Sequence, residues 1–355
     1  MNTTQKDSRE SALFAQIVSY LPLIVIFLAI TGNTACFFIF RFSKEFKNIS
    51  SMVFLSFVAI FGILSQFIWN LNHFLQPNFD FRIEYVSDFT CKFFMFLQYF
   101  SLQAIGILLS IMCVDRFVTI MSTPGSIYSR LPFSTVKSSY IWSLSIIIIL
   151  FLLNSHILIF NGNYRHVRNT NNITTSEIIN GTLVSKVETI IEYQECYWYN
   201  ADFRLYPTWD HVNLGLYNFF PFTMMLIFNV LLITKTLMLN SSIKSSNNKE
   251  QIKSIIKKRR LTISILAITF GYIIMTLPVT IMTSFYFYYF FSLPNGLTYL
   301  SMADSFGFLF HATLFFNCIA TNIKFRRYVI RALACSRRKK QTESTANSIT
   351  KTTRQ

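Results

Sequence analysis

Polar and apolar positions along this 355-residue chain fall into long blocks, not into the short alternations of a soluble domain. Stretches free of Asp, Glu, Lys and Arg cover Ser11–Phe40, Asn48–Phe79, Phe93–Val114, Ser138–Tyr164 and His211–Thr234. A sixth, Leu261–Ala303, is too long for one crossing of a bilayer, which takes about 20 apolar residues. It breaks at Ser292–Gly296, a Ser-Leu-Pro-Asn-Gly turn signal, and its second half continues through Asp304 to Ile323. The pattern therefore predicts seven spans. Hydrocarbon leaves backbone groups unsatisfied in anything but a helix or a closed barrel. Barrel strands would alternate apolar and polar residues, and runs such as Ile146–Leu153 do not. The expected fold is an all-α membrane protein, a bundle of seven helices.

Composition agrees with the pattern. The chain is 52% hydrophobic and only 14% charged, against roughly 25% charged for a soluble domain. The first apolar block starts too late and runs too long for a secretory leader, so it counts as a helix. The longest polar insertion, about 161–210, separates spans four and five. The amino tail (1–16) and a basic, Ser/Thr-rich tail (332–355) flank the helical domain (17–331), and the basic tail has the composition of a disordered segment.

Charge sets the expected orientation. The amino tail and even loops hold 8 of the 32 Lys and Arg, and the odd loops and carboxyl tail hold 24. Asp and Glu run the other way, 12 against 4. The positive-inside rule then puts the amino terminus outside and the carboxyl terminus in the cytoplasm. The net charge of +16 is thus a topology and anionic-lipid signal, concentrated at Lys257–Arg260 and Arg337–Lys340, and not a nucleic-acid signal.

Of six cysteines only Cys91 and Cys196 lie at or beyond the expected outer boundary. That side is oxidising, so a disulfide between them is expected, tying the long loop to the top of span three. Asn-x-Ser/Thr sequons at Asn2, Asn172 and Asn180 fall outside, where sugar is added. Those at Asn48 and Asn240 fall inside.

Span three ends in Asp115-Arg116-Phe117. Cys91 and Arg116 are 25 residues apart, about 37 Å of helix, a full crossing. Seven spans, an outer amino terminus, this Cys and this Arg together resemble the rhodopsin-like family of G-protein-coupled receptors. Gly32-Asn33 in span one, Trp142, Pro221, Pro278 and Asn317 add to the likeness, as does Phe325-Arg326-Arg327, the expected start of a surface helix over about 322–331. The likeness covers about Leu21 to Arg331 and is that of a divergent member of invertebrate type. Phe117 replaces the family's usual Tyr. Span two lacks the family's Asp, with Ser56–Phe61 in its place. Thr276 stands two before the span-six Pro where the family has Trp, Asn229 replaces a Tyr, and Asn317-Cys-Ile-Ala-Thr321 replaces Asn-Pro-x-x-Tyr. These departures fall on the family's sodium site, its toggle and its water network.

The resemblance implies a plasma-membrane receptor that signals through a heterotrimeric G protein. Arg116 would pair with Asp115 at rest and meet the G protein when active. Span six would swing about Pro278, and Asn317 would belong to the same switch. Cys335 would be a palmitoylation site, with a plain inner-leaflet cysteine as the alternative, and the Ser/Thr-rich tail would recruit arrestin. The ligand would enter the outer half of the bundle. Gln98 lies seven residues from Cys91 and eighteen from Arg116, near-whole numbers of helical turns, so it faces the same interior as both. Gln98, where the family's amine receptors carry Asp, argues against a biogenic amine. Tyr99 and His311 are candidate pocket groups, with a satisfied interhelical histidine as the alternative for His311. No Lys lies within span seven, so no retinal Schiff base forms there and no cofactor is implied. Asp304 meets either a cationic ligand group or solvent at the rim, the second being favoured. The aromatic run Glu192–Tyr199 around Cys196 suits a β-hairpin lid, and with the acidic outer face it suits a peptide ligand, a basic one included, with an ordinary glycosylated loop as the alternative.

The rival classes are weaker. No HExxH, GxSxG or phosphate-binding loop is present, so the chain reads as no enzyme. A channel or transporter would place charges or broken-helix pairs deep in the spans. A seven-span chemosensory receptor for a small odorant or lipid is the principal alternative. Its channel-forming type would carry an inward amino terminus, against the charge count.

Overall fold

The computed structural model describes residues 13–122, 126–162, 164–168, 190–194, 196, 199, 205–245, 249–332 and 334. Seven helices in it are long and apolar enough to cross a membrane: α1 (Leu13–Phe42), α2 (Ser50–Phe79), α3 (Asp88–Met121), α4 (Val136–Phe160), α5 (Asp210–Met238), α6 (Lys249–Phe285, apolar over Leu261–Phe285) and α7 (Gly296–Thr321). A shorter helix, α8, follows at 323–332. Among the described residues the only strands are β1 (Tyr164–Arg168) and β2 (Ile190–Gln194), paired antiparallel with Tyr164 opposite Gln194.

Large apolar side chains such as Phe27, Phe42, Ile148, Ile149, Leu152 and Ile274 stand exposed on the helix exteriors. A water-facing surface does not carry contiguous apolar area of that kind, whereas a bilayer covers it. The chain is a multi-pass membrane protein. In the most apolar stretch of α4 28% of residues are buried, against 72% in α2, so α4 sits at the rim and α2 inside.

The axis of the bundle is α3. Ser87 starts it with a capping box, its hydroxyl accepting from Thr90 N–H at 3.1 Å while Ser87 N–H donates back to the Thr90 hydroxyl at 2.8 Å. It packs against α2, α4 and α5, and α7 packs against α1 and α6. Gly106 is the point of closest approach: a Cβ there would lie 2.9 Å from the Tyr217 carbonyl oxygen and 3.1 Å from Pro221.

Several boundaries differ from those the charge-free blocks predict. The first helix begins at Leu13, inside the segment read as tail. Span four ends at Phe160, because Asn161 leaves the helix and Gly162 takes a φ of 88°, a conformation that suits glycine. Tyr164, read as its last residue, opens β1 instead. The hairpin strand runs over 190–194 and stops before Cys196. The α2 backbone widens into a π-turn at Gln66–Asn70, and α5 is preceded by one at Leu205–Trp209 and interrupted by another at Leu214–Phe219. Helical structure there begins at Leu205, six residues before His211, and takes Asp210 into the span. The break between α6 and α7 holds a helical turn, Phe287–Phe291, and Asn295 with a φ of 61°. Gly296 is obligatory, since a Cβ would lie 1.7 Å from the Phe290 carbonyl oxygen.

Candidate functional site

Cys91 and Cys196 form a disulfide, with Cα atoms 5.5 Å apart, at one end of α3. Asn161 of α4 donates to the Cys91 sulfur at 3.1 Å. Three residues on, Tyr199 pairs with His156 of α4 through its hydroxyl, so the loop is stitched to two helices. Burial pushes the Tyr199 phenol above its ordinary range and keeps it a neutral hydroxyl.

A cavity opens between α2, α3, α5, α6 and α7 toward that end. Its volume is about 610 Å³ with the solvent at its open mouth included. Asp210, Asp304, Tyr217, Asn218, His311 and Trp69 are among its walls. Several of these groups are held from behind. Tyr99 is fully buried against Trp69 and donates to Asp210 Oδ1 at 2.6 Å. His73 Nε2 lies 3.0 Å from Asp304 Oδ2. Tyr217 Oη lies 3.4 Å from His311 Nε2. The α7 backbone at this depth is fixed by Asn33 of α1, which donates to the His311 carbonyl at 2.7 Å. Asn213, also in the wall, accepts from Gln103 at 3.1 Å, which accepts from Asn154 of α4 at 2.7 Å. This network fixes three helices at one level.

At the opposite end Arg116 and Asp115 are both buried. Arg116 Nη2 donates to Asp115 Oδ2 at 2.7 Å and Nε at 3.2 Å. Ser50 of α2 donates to the same oxygen at 2.7 Å and also meets the guanidinium. Asp115 Oδ1 accepts the Ser134 N–H at 2.7 Å, from a residue with a φ of 71°. One aspartate thus holds the arginine, α2 and the loop before α4. A buried ion pair with its remaining acceptor sites filled is costly to break at one partner alone.

Of the residues anticipated for the ligand, His311 and Asp304 line the cavity and Tyr99 supports its wall without lining it. Asp304 is not a free rim charge, because His73 of α2 faces it. Gln98 is fully buried and lies outside the cavity wall, with both ends of its carboxamide lacking a hydrogen-bond partner. Since α3 is enclosed on several sides, facing the interior is not the same as facing the cavity. Of the switch candidates, Asn317 is half-buried with a 3.4 Å bond to Thr313 within its own helix. Pro278 lies inside α6 and lines a separate apolar groove with Leu21, Val25 and Met282. Asn2, Asn172, Asn180 and Cys335 lie outside the described residues.

The cavity residues that the sequence reading passed over are Asp210, Tyr217, Asn218 and Trp69. Asp210 falls outside the charge-free block because of its own charge, the block opening one residue later at His211. The available signal for Tyr217 was its position four residues before Pro221. Proline has no N–H, so the Tyr217 carbonyl loses its α-helical donor. The Tyr272 hydroxyl of α6 donates to it at 2.7 Å.

No protein-family model matches the chain, and no curated protein matches it.

Proposed function

We propose that this protein is a ligand-activated receptor of the rhodopsin-like type. It sits in the plasma membrane with its amino terminus outside and signals through a heterotrimeric G protein. The observation that carries the reading is the arrangement along α3. A disulfide-tethered loop and a polar cavity lie at one end of the helix, and a buried Asp115–Arg116 pair lies a full membrane crossing away. Such a pair is expensive to bury and is kept where it is used.

Activation in this reading is a two-state equilibrium. Ligand favours one packing of α5, α6 and α7 around the cavity, and G protein favours the same packing by taking Arg116 from Asp115 and Ser50. A ligand shifts the equilibrium only through contacts that differ between the states. The joint between Tyr272 and the Tyr217 carbonyl is one such contact, because it ties α6 to the wall of the cavity. The basic end of α6 (Lys257–Arg260) borders the coupling face and meets anionic lipid, and the tail is open to arrestin once phosphorylated. The long tethered loop and the polar, carboxylate-bearing cavity favour a peptide ligand.

The test is nucleotide exchange on G protein in membranes carrying the receptor, driven by tissue fractions before and after protease digestion. Arg116→Ala is expected to abolish the response at normal surface expression. An unchanged response in that variant removes Arg116 from coupling. A response that survives protease assigns the ligand to the small odorant or lipid class.

A further inference from the structure

We infer that the cavity takes its ligand by a cationic group, a guanidinium or an ammonium, seated on Asp210 with Asp304 beside it. The inference rests on the receptor reading for the cavity being a ligand site, and it names the ligand's chemistry.

Asp210 lines the cavity, is partly buried, and accepts on Oδ1 from the neutral Tyr99 hydroxyl. The adjacent His211 is the one basic side chain whose charge acts on it, and among the described residues no Lys or Arg forms an ion pair with it. Asp304 lines the same wall. Its own partner is His73, which is bound through Oδ2 and is partly exposed. Two carboxylates across one low-dielectric space are costly unless a cation joins them. The cavity therefore presents two carboxylates with only histidines beside them, and an anionic or wholly apolar ligand would add to their cost instead of relieving it.

Independent evidence for a ligand lies deeper in the same cavity. Asn218 Oδ1 and His311 Nδ1 are buried without a hydrogen-bond partner, in side chains 2% and 4% exposed, and both residues line the wall. Buried polar atoms are nearly always satisfied, so a pair left open on one cavity marks where a bound molecule supplies the partner. The carboxamide oxygen of Asn218 accepts, so the ligand carries a second, donor-bearing polar group beyond its cation. Trp69 lines the same cavity, and an aromatic ring stabilises a cation set over its face. Gln98 takes no part, since it lies outside the wall. The counter-charge comes from α5 and α7, and not from α3.

The experiment is thermal unfolding of the purified protein in detergent, with the Nα-acetylated forms of arginine amide, lysine amide and citrulline amide as probes, so that the side chain carries the sole cation. Citrulline amide keeps the shape of the arginine probe without its side-chain charge. The two amides with cationic side chains are expected to raise the melting temperature of the wild-type protein beyond the shift given by citrulline amide. Asp210→Asn keeps the acceptor for Tyr99 and is expected to fold normally while weakening arginine amide at least about tenfold, the loss of one charge-assisted bond. Asp304→Asn is expected to weaken it less. Equal stabilisation by citrulline amide, no stabilisation of the wild type, or undiminished binding to Asp210→Asn overturns the proposal. Adding an Nα-acetylated dipeptide to the amino side of arginine amide distinguishes the two sources of the cation. Tighter binding assigns it to a peptide, and unchanged or weaker binding to a free amine. The readout contains no G protein, so failure here and failure of the Arg116→Ala test are separate outcomes.

Discussion

Pro221 shows how one residue type sets a contact between distant helices. It removes the donor that an α-helix would offer the Tyr217 carbonyl, and the Tyr272 hydroxyl answers from α6. Tyr272 is fully buried, packed edge-on against Tyr217, Phe222 and Phe310. Gly106 makes the meeting sterically allowed, since a Cβ there would lie 2.9 Å from both the Tyr217 oxygen and the Tyr272 hydroxyl. Tyr272→Phe leaves that carbonyl unpaired by α6, an expected loss of about 1–3 kcal/mol seen as a lower melting temperature. Gly106→Ala is expected to destabilise by forcing the same atoms apart. In that background Tyr272→Phe removes one of the two clashes, so the double variant is expected to be more stable than the sum of the single losses. Strict additivity would mean that the three groups do not meet.

The scale of the element is best seen in α8. Asn322 leaves the α7 helix and its Oδ1 accepts from the N–H groups of Lys324 and Phe325 at 3.1 and 3.2 Å, a side-chain cap. Phe325 is fully buried and packs on Phe40, Phe46 and Phe315 of the α1 and α7 region. The cap starts the helix and the ring docks it. Asn322→Ala is expected to cost about 1 kcal/mol and to speed hydrogen exchange over 323–332 without releasing the helix. Phe325→Ala empties an aromatic cluster and is expected to cost about 3–5 kcal/mol, with exchange rising in α1 as well. Protection unchanged in both variants would mean that α8 is held from elsewhere. The same scale explains the π-turns. A helix that runs regularly would keep 3.6 residues per turn, whereas the insertions at Gln66–Asn70 and Leu214–Phe219 re-aim the residues beyond them. Trp69 and Tyr217 both lie within these turns.

For the whole molecule, the disulfide closes a separation of 105 residues and joins a loop to the central helix. Cys196→Ser is expected to lower stability by about 2–5 kcal/mol and to reduce surface expression while leaving the helix content intact. Far-ultraviolet circular dichroism beside thermal unfolding reads both, and an unchanged melting temperature would show that the bridge carries no stability. The charge asymmetry of 24 Lys and Arg on one side against 8 on the other predicts the orientation of the bundle. A glycan on Asn2 and none on Asn48, read as a mobility shift removed by deglycosylation, is the expected result. The reverse pattern would invert the molecule and point to the chemosensory-channel class.

The number of spans, their helical nature and the pairing of Cys91 with Cys196 were legible in the chain itself. Each depends on a local property: block length against bilayer thickness, the absence of alternation, and which cysteines fall outside the blocks. Asp115 and Arg116 were legible for the same reason, as charges standing at the end of an apolar run. The walls of the cavity were not. Asp210 opens α5, directly after the π-turn Leu205–Trp209 and outside the charge-free block, and Gln98 misses the cavity although its helical phase points inward. Phase along one helix says that a side chain faces protein, and it takes the packing of five helices to say whether protein or open space lies opposite. The partners of Asp304 and Tyr217 come from 231 and 94 residues away, His73 and His311. Such pairings depend on how the helices are set against each other, which no spacing within a single span encodes.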